Sequence, residues 1–352
     1  MRYNVRDSKG RFIKQVIKGF KAFTYLFQCL HKQYKPLTTY KEKGGSICRK
    51  GMMHFCENIL DTLRYYHPGS LPRFASVTGA GKIAKDGEKT AASTLEVGKD
   101  FGITGLIKKA KNLYKDSEKY PITLFRISTE RRRFVTSSRA ATILGTEYEG
   151  GGSIVHGGDA SNITAFNRNS CGIAYCEGDL GLAISKGNMS LSLTKGFAST
   201  SIVEGYNSTS IATGGGSLAF TKGDLGSNLS IARGYDSIAL TKEKDDYGFM
   251  FAYAANPTAV AIVDGKAGYI FAKGVIGSNL IFIIRPTFDR ALAGTKVLSC
   301  LVDGDKVKEN TYYGIRRHDS LSVPDELVEL EVIRNFPEHL QIKTKELDEV
   351  LN

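Results

Sequence analysis

Tryptophan is absent from this 352-residue chain, and proline occurs only 8 times. So little proline excludes a collagen-like or polyproline chain. Cysteine is sparse, at Cys29, Cys48, Cys56, Cys171, Cys176 and Cys300. That spread excludes a small disulfide scaffold and suits reduced thiols. No run of roughly 18 apolar residues exists, so no membrane span is expected. The opening MRYNVRDSKGRFIKQ is basic but has no apolar stretch before a small-residue cleavage site, so no secretory signal is read. P-loop, Rossmann, kinase and HExxH signatures are missing, which leaves no motif for the common nucleotide or metalloprotease chemistries.

Glycine, by contrast, is abundant at 38 residues, beside 41% hydrophobic and 24% charged residues. The balance fits a globular chain with a sizeable core. The net charge of +12 is unevenly placed: residues 1–50 hold 13 Lys/Arg against 2 acids. Arg2, Arg6, Lys9, Arg11, Lys14 and Lys18 make a basic head that can contact nucleic acid or an anionic partner, or can simply be solvated. The end runs the other way, with Asp325, Glu326, Glu329, Glu331, Glu338, Glu346, Asp348 and Glu349.

Between these ends the chain restates itself every nine residues. From Gly172 the units include GLAISKGNM, SLSLTKGFA, STSIVEGYN, STSIATGGG and SLAFTKGDL, with looser copies on both sides. Apolar–small–apolar alternation is strand periodicity. A recurring glycine at the seventh place, Gly187, Gly196, Gly205, Gly214, Gly223 and Gly234, suits a bend at positive φ. Such short strands bury a face only when stacked on equivalent strands of the next coil. Two units make one coil with a strand on each side. About five or six coils of a flattened β-roll follow, roughly 25–30 Å long at ~4.8 Å per coil; a three-sided helix is the alternative. Calcium binding of the nonapeptide β-roll kind is rejected, because Lys186, Lys195, Lys222 and Arg233 stand before the repeated glycines. The Ser, Thr, Ala and Gly positions are read as outward, so Ser201, Ser210 and Ala219 are the expected self-association face; small residues that merely suit tight coils, or an ice-binding face, are the other readings.

The expected order is a basic arm (1–16), an α+β capping domain (17–150), the solenoid (151–280), a C-terminal β cap (281–320) and an acidic helical tail (321–352). In the capping domain, ENILDTLRYY (57–66) and FGITGLIKKAKNLYKD (101–116) have helical spacing. PDELVELEVIRNF and PEHLQIKTKELDEVLN read as helices that begin on proline.

Three segments carry a resemblance: KGF at 18–20, GMMHFCENILDTLRYYHPG, and the long RFASVTGAGKIAKDGEKTAASTLEVGKDFGITGLIKKA. With the repeats and the closing KVLSCLVDGDKVKENTYYGI, their order resembles an uncharacterised domain family of phages, prophages and gut bacterial genomes. The resemblance covers most of 18–317. It implies a phage context, in a virion or in host cytoplasm, and a repeat architecture. It implies no activity and no functional residues.

Four residues have ligand character: Cys29, Cys48, His54 and Cys56. His54 and Cys56 share a strand face, so both can reach one metal, but no C-x2–4-C pair supports zinc. Strand KGF, a glycine-led strand and a helix ending Tyr-Tyr are also similar to the ADP-ribosyltransferase core, which would imply NAD chemistry with Glu57 as the carboxylate. The His or Arg such a first strand needs is missing from IKGF. The expectation is therefore a non-enzymatic structural or interaction protein without a cofactor. It self-associates as a homodimer or homotrimer, with other phage or host proteins and nucleic acid as further possible partners and no membrane contact.

Overall fold

The computed structural model describes residues 16–45, 51–113, 125–128, 134–136, 142–145, 154–156, 164–167, 170–223, 226–243, 248–266, 269–285, 295–316, 326–329, 349 and 351. Two compact units result: one from residues 1–67, 71–114 and 348–352, the other from 68–70 and 115–347.

The first unit is a small closed ring of strands. Its elements are β1 (Val16–Phe23), β2 (Gln28–Cys29), β3 (Lys32–Gln33), β4 (Thr38–Lys41), β5 (Met53–Cys56), β6 (Arg73–Asp86), β7 (Lys89–Asp100) and α1 (Gly102–Leu113). β6 and β7 form a long hairpin, turned at Gly87 with φ 56°, as an Asp-Gly turn favours. β1 pairs with β6, β7 with β5, and β5 returns to β1 at Phe20↔Cys56, closing the ring. Two register shifts in the hairpin help it curl. Phe23, Phe27, Tyr34, Phe55, Leu95 and Val97 fill the middle. Gly19, the glycine of KGF, is required by close packing: a Cβ there would lie 2.4 Å from the Cys56 carbonyl oxygen and 2.7 Å from the Phe55 ring.

Helix α1 forms where expected and buries Ile103, Leu106, Ile107 and Ala110, a one-sided stripe. The segment 57–66 is instead a 3₁₀ turn, Ile59–Arg64, capped by the Asn58 side chain accepting from the Leu60 N–H at 2.9 Å. The end of the chain belongs to this same unit. Leu351 is buried, its carbonyl accepts from Thr104 Oγ1 at 2.6 Å, and Glu349 lies 3.5 Å from Arg73. Glu349 of the acidic end thus meets a basic group of its own chain.

The second unit is a β-solenoid of about six turns over residues 165–285, and the protein is mainly β with few helices. Successive strands alternate between two ten-stranded sheets, so each coil contributes one strand to each. The first sheet holds Leu182–Ser185, Thr200–Glu204, Leu218–Gly223, Ile238–Glu243, Val260–Lys266 and Asn279–Arg285 in parallel register. The second holds Ile173–Cys176, Leu191–Thr194, Thr209–Ala212, Gly226–Ala232, Gly248–Ala254 and Ile270–Gly274. Strands from Phe125 onward already join these sheets, ahead of the expected start at 151. Antiparallel strands Lys296–Leu301 and Tyr313–Arg316 close the two sheets. Glu326–Glu329, expected as helix, is a strand paired with Tyr313–Arg316; Leu327 packs on the solenoid core and Tyr313 OH lies 3.3 Å from Glu329. Antiparallel pairing with Tyr313–Arg316 won over the helix-permissive proline before it.

Among the seventh-place glycines only Gly205, at φ 153°, has the positive φ expected. The left-handed backbone falls at the ninth place: Cys171, Leu180, Met189, Ala198 and Asn207 have φ between 50° and 57°. The seventh-place glycines stack carbonyl to Cα between coils. A Cβ on Gly196 would sit 2.0 Å from the Gly178 oxygen, on Gly214 1.8 Å from the Gly196 oxygen, and on Gly234 1.8 Å from the Gly214 oxygen. No side chain fits at these three positions.

Candidate functional site

Among the described residues two places have the character of a site: the outer face of the first sheet, and a pocket in the first unit.

The sheet face reverses the expected orientation. Ser201, Ser210 and Ala219 are fully buried between the sheets, not outward. Ser210 Oγ donates to the Ser201 carbonyl oxygen at 2.7 Å, and Ser192 Oγ to the Ala183 carbonyl oxygen at 2.7 Å. Hydroxyls that reach the opposite backbone hold the sheets close, and Ala183, Ser201, Ala219, Ala239 and Ala261 line one inner column until Leu280 takes that place in the last coil. The large aliphatics therefore face out. Ile184, Ile202, Phe220, Leu240, Ile262 and Ile281 stand in one register column, each half-buried by its neighbours above and below. Leu182, Leu218, Ile238 and Val260 stand beside them, with Ile238 38% exposed. A charged row follows: Lys186 bridges Glu204 at 3.1 Å and Lys242 bridges Asp264 at 3.4 Å. Six strands at ~4.8 Å and two outward positions per strand span roughly 400 Å², apolar except at Thr200 and Asn279.

The pocket has a volume of about 340 Å³ and lies between β1, β5 and the 3₁₀ turn. Its walls are Phe20, Leu30, Phe55, Tyr65 and Tyr66; its polar groups include Lys21, Cys29, His54, Cys56 and Lys89. Lys21 is buried, 4% exposed, and donates to Cys29 Sγ at 3.2 Å and the His54 carbonyl oxygen at 2.7 Å. Its ammonium also lies 5.3 Å from the Tyr34 ring centre, a cation–π contact. Burial first, then the charge of the Cys29 sulfur beside it, pushes the Tyr66 phenol's pKa up. Lys89 Nζ stands 4.6 Å over the Tyr65 ring. Burial pushes the Cys56 thiol up to about 12, so it stays protonated. Burial, then Lys21 and Lys89, hold His54 below the ordinary histidine range.

Of the four residues with ligand character, the structure brings Cys29, His54 and Cys56 to this one pocket; Cys48 lies outside the described residues. Among the described residues no group of three or more His, Cys, Asp or Glu side chains converges as a metal needs. Two lysines beside the same three residues add a repulsion for any cation. Lys21, Tyr66 and Lys89 were missed in the sequence because they come from three separate segments. One signal was legible: Lys21 shares the strand parity of Ile17 and Phe23, so a lysine stands on the core-facing side of β1. Glu57 does not line the pocket; its carboxylate is bound by Lys85 at 2.6 Å and Thr90 at 2.8 Å, and the Lys85 hydrogen bond holds it ionised below the usual range. Arg2, Arg6, Lys9, Arg11 and Lys14 lie outside the described residues, and Lys18 is exposed on β1. No described helix is long and apolar enough to cross a membrane.

His54 and His67 are both held below their usual pKa, His67 by burial. The folded state therefore binds fewer protons than the unfolded chain below the unfolded histidine value of ~6.5. Stability should be flat above that value and fall as pH drops through it towards the folded values. Thermal unfolding between neutral pH and about pH 5, above the carboxylate range, measures the slope. Replacing both histidines by glutamine should flatten it, and an unchanged slope would refute the assignment.

Residues 17–109 are similar to a domain of unknown function, DUF7666, and every pocket-lining residue falls within that span. No curated protein and no solved structure matches the chain.

Proposed function

We propose that this is a phage-encoded, non-enzymatic structural or interaction protein that self-associates, as a dimer or trimer, through the outer face of the first sheet. The observation that carries the reading is the aliphatic ladder from Ile184 to Ile281. Apolar patches near 300–600 Å² on a monomer are often functional. A stable interface takes ~800 Å² per partner, so the ladder supplies the apolar centre and the charged row of Glu204, Lys222, Lys242 and Asp264 the rim. A second copy is the partner that fits. Its ridges repeat at the same strand spacing, so side chains of one face seat between those of the other. The phage context is proposed from the resemblance of the KGF and His-x-Cys segments, and with it a location in a virion or in host cytoplasm.

Light scattering of the purified full chain at tens of micromolar tests the reading. A dimer or trimer is expected, and the pair Ile202→Lys with Leu240→Lys should give monomer with an unchanged far-ultraviolet spectrum. A monomeric wild type, or an oligomer that survives both lysines, would refute it.

A further inference from the structure

The pocket of the first unit carries an inference that does not depend on self-association. Its charge is unbalanced. Lys21 is buried, yet its described partners are a thiol sulfur, a carbonyl oxygen and aromatic rings. Among the described residues that line the pocket there is no carboxylate, while a second ammonium, Lys89, stands at the wall. Two carboxylates outside the lining act on Cys56: Asp61, buried in the 3₁₀ turn, and Glu88, which is taken up by Arg64 at 2.5 Å and by the Tyr65 hydroxyl at 3.0 Å. A buried cation is costly unless an anion or strong acceptors answer it. Here the acceptors are weak ones, and the cavity opens beside them.

The walls indicate what accompanies the anion. Phe20, Phe55, Tyr65 and Tyr66 present flat apolar surfaces, and Leu30, 80% exposed, stands at the rim. A volume of about 340 Å³ is at the small end for ligand sites. It admits one or two fused rings. The geometry points to a binding site for a small aromatic carboxylate, with its ring between the aromatic walls and its charge towards Lys21 and Lys89. Cys29, half-buried between Lys21 and Tyr66, would lie beside the bound anion and report on it.

The test uses the full chain with 2-naphthoate and its neutral amide, 2-naphthamide, as probes. Calorimetry should show the carboxylate binding at least tenfold more tightly than the amide. The carboxylate, but not the amide, should slow alkylation of Cys29 by iodoacetamide, read by peptide mass. Lys89→Gln, at a half-buried position, should reduce the preference severalfold, and Lys21→Met should abolish it. If Lys21→Met does not fold, Lys89→Gln decides alone. Equal binding of the two probes, no binding of either, or a preference untouched by Lys89→Gln would overturn the assignment. Each of these outcomes is independent of the oligomeric state.

Discussion

Gly214→Ala should unfold the solenoid rather than adjust it. The new Cβ would fall 1.8 Å from the Gly196 oxygen, 2.4 Å from the Gly196 carbonyl carbon and 2.8 Å from the Lys195 oxygen. All three are backbone atoms of the coil below, so no side chain can rotate away. Relief requires separating two coils whose strands pair in register on both sides. Overpacking of a tight interior costs about 1–3 kcal/mol and sometimes more; with only backbone to yield, roughly 3 kcal/mol or above is expected. The control stands one residue along. A Cβ on Gly215 would meet nothing nearer than 3.5 Å, from the Phe197 ring. Gly215→Ala should therefore leave the thermal midpoint almost unchanged. Equal effects of the two alanines would show that the glycine column is not the close contact described.

Ser210→Leu should behave as an interior lesion and not as a surface one. Ser210 is fully buried, and its hydroxyl joins the two sheets through the Ser201 carbonyl and hydroxyl oxygens at 2.7 and 3.0 Å. Leucine removes those bonds, worth about 1 kcal/mol net each, and inserts a branched side chain where a hydroxyl fits. A loss of about 3 kcal/mol or more is expected, seen as insoluble protein or a sharply lowered unfolding midpoint. Ile202→Lys, one residue from Ser201 on the same strand but on its outer face, should stay folded. A Ser210→Leu protein as stable as the wild type would place that column outside.

These two experiments concern the part of the fold that the sequence left ambiguous. The nine-residue register was readable because strand alternation and the recurring glycine repeat together. It yields the two sheets and the coil count without any contact being known. The direction of the alternation was not readable. Leu182, Ala183 and Ile184 give the same pattern whether the small or the large residue points inward. From Leu182 to Val260 the usual rule that large apolar residues are inside fails for a reason of volume: hydroxyl-to-backbone bonds such as Ser192 to Ala183 hold the sheets close, and only the last coil admits Leu280 and Phe282. The glycine column was visible, but its cause was not. A glycine needed for left-handed backbone and one needed for close approach look alike in a sequence, and here Leu180 and Met189 take the left-handed positions themselves. The pocket was half legible. His54 and Cys56 were placed together by strand parity, whereas Tyr66 and Lys89 reach it only because the ring of strands closes.

The return of Leu351 to Thr104 makes the solenoid an excursion from a single body, since the chain leaves the first unit after Tyr114 and re-enters it at Asp348. Mechanical tension applied between residue 16 and residue 351 would first load the β1–β6 pairing and the Thr104–Leu351 bond, both within that unit. The stacked coils would carry no force until that latch parted. A pulling experiment from these two points should then show a small first rupture, followed by separate, later ruptures as the stacked coils themselves come under load.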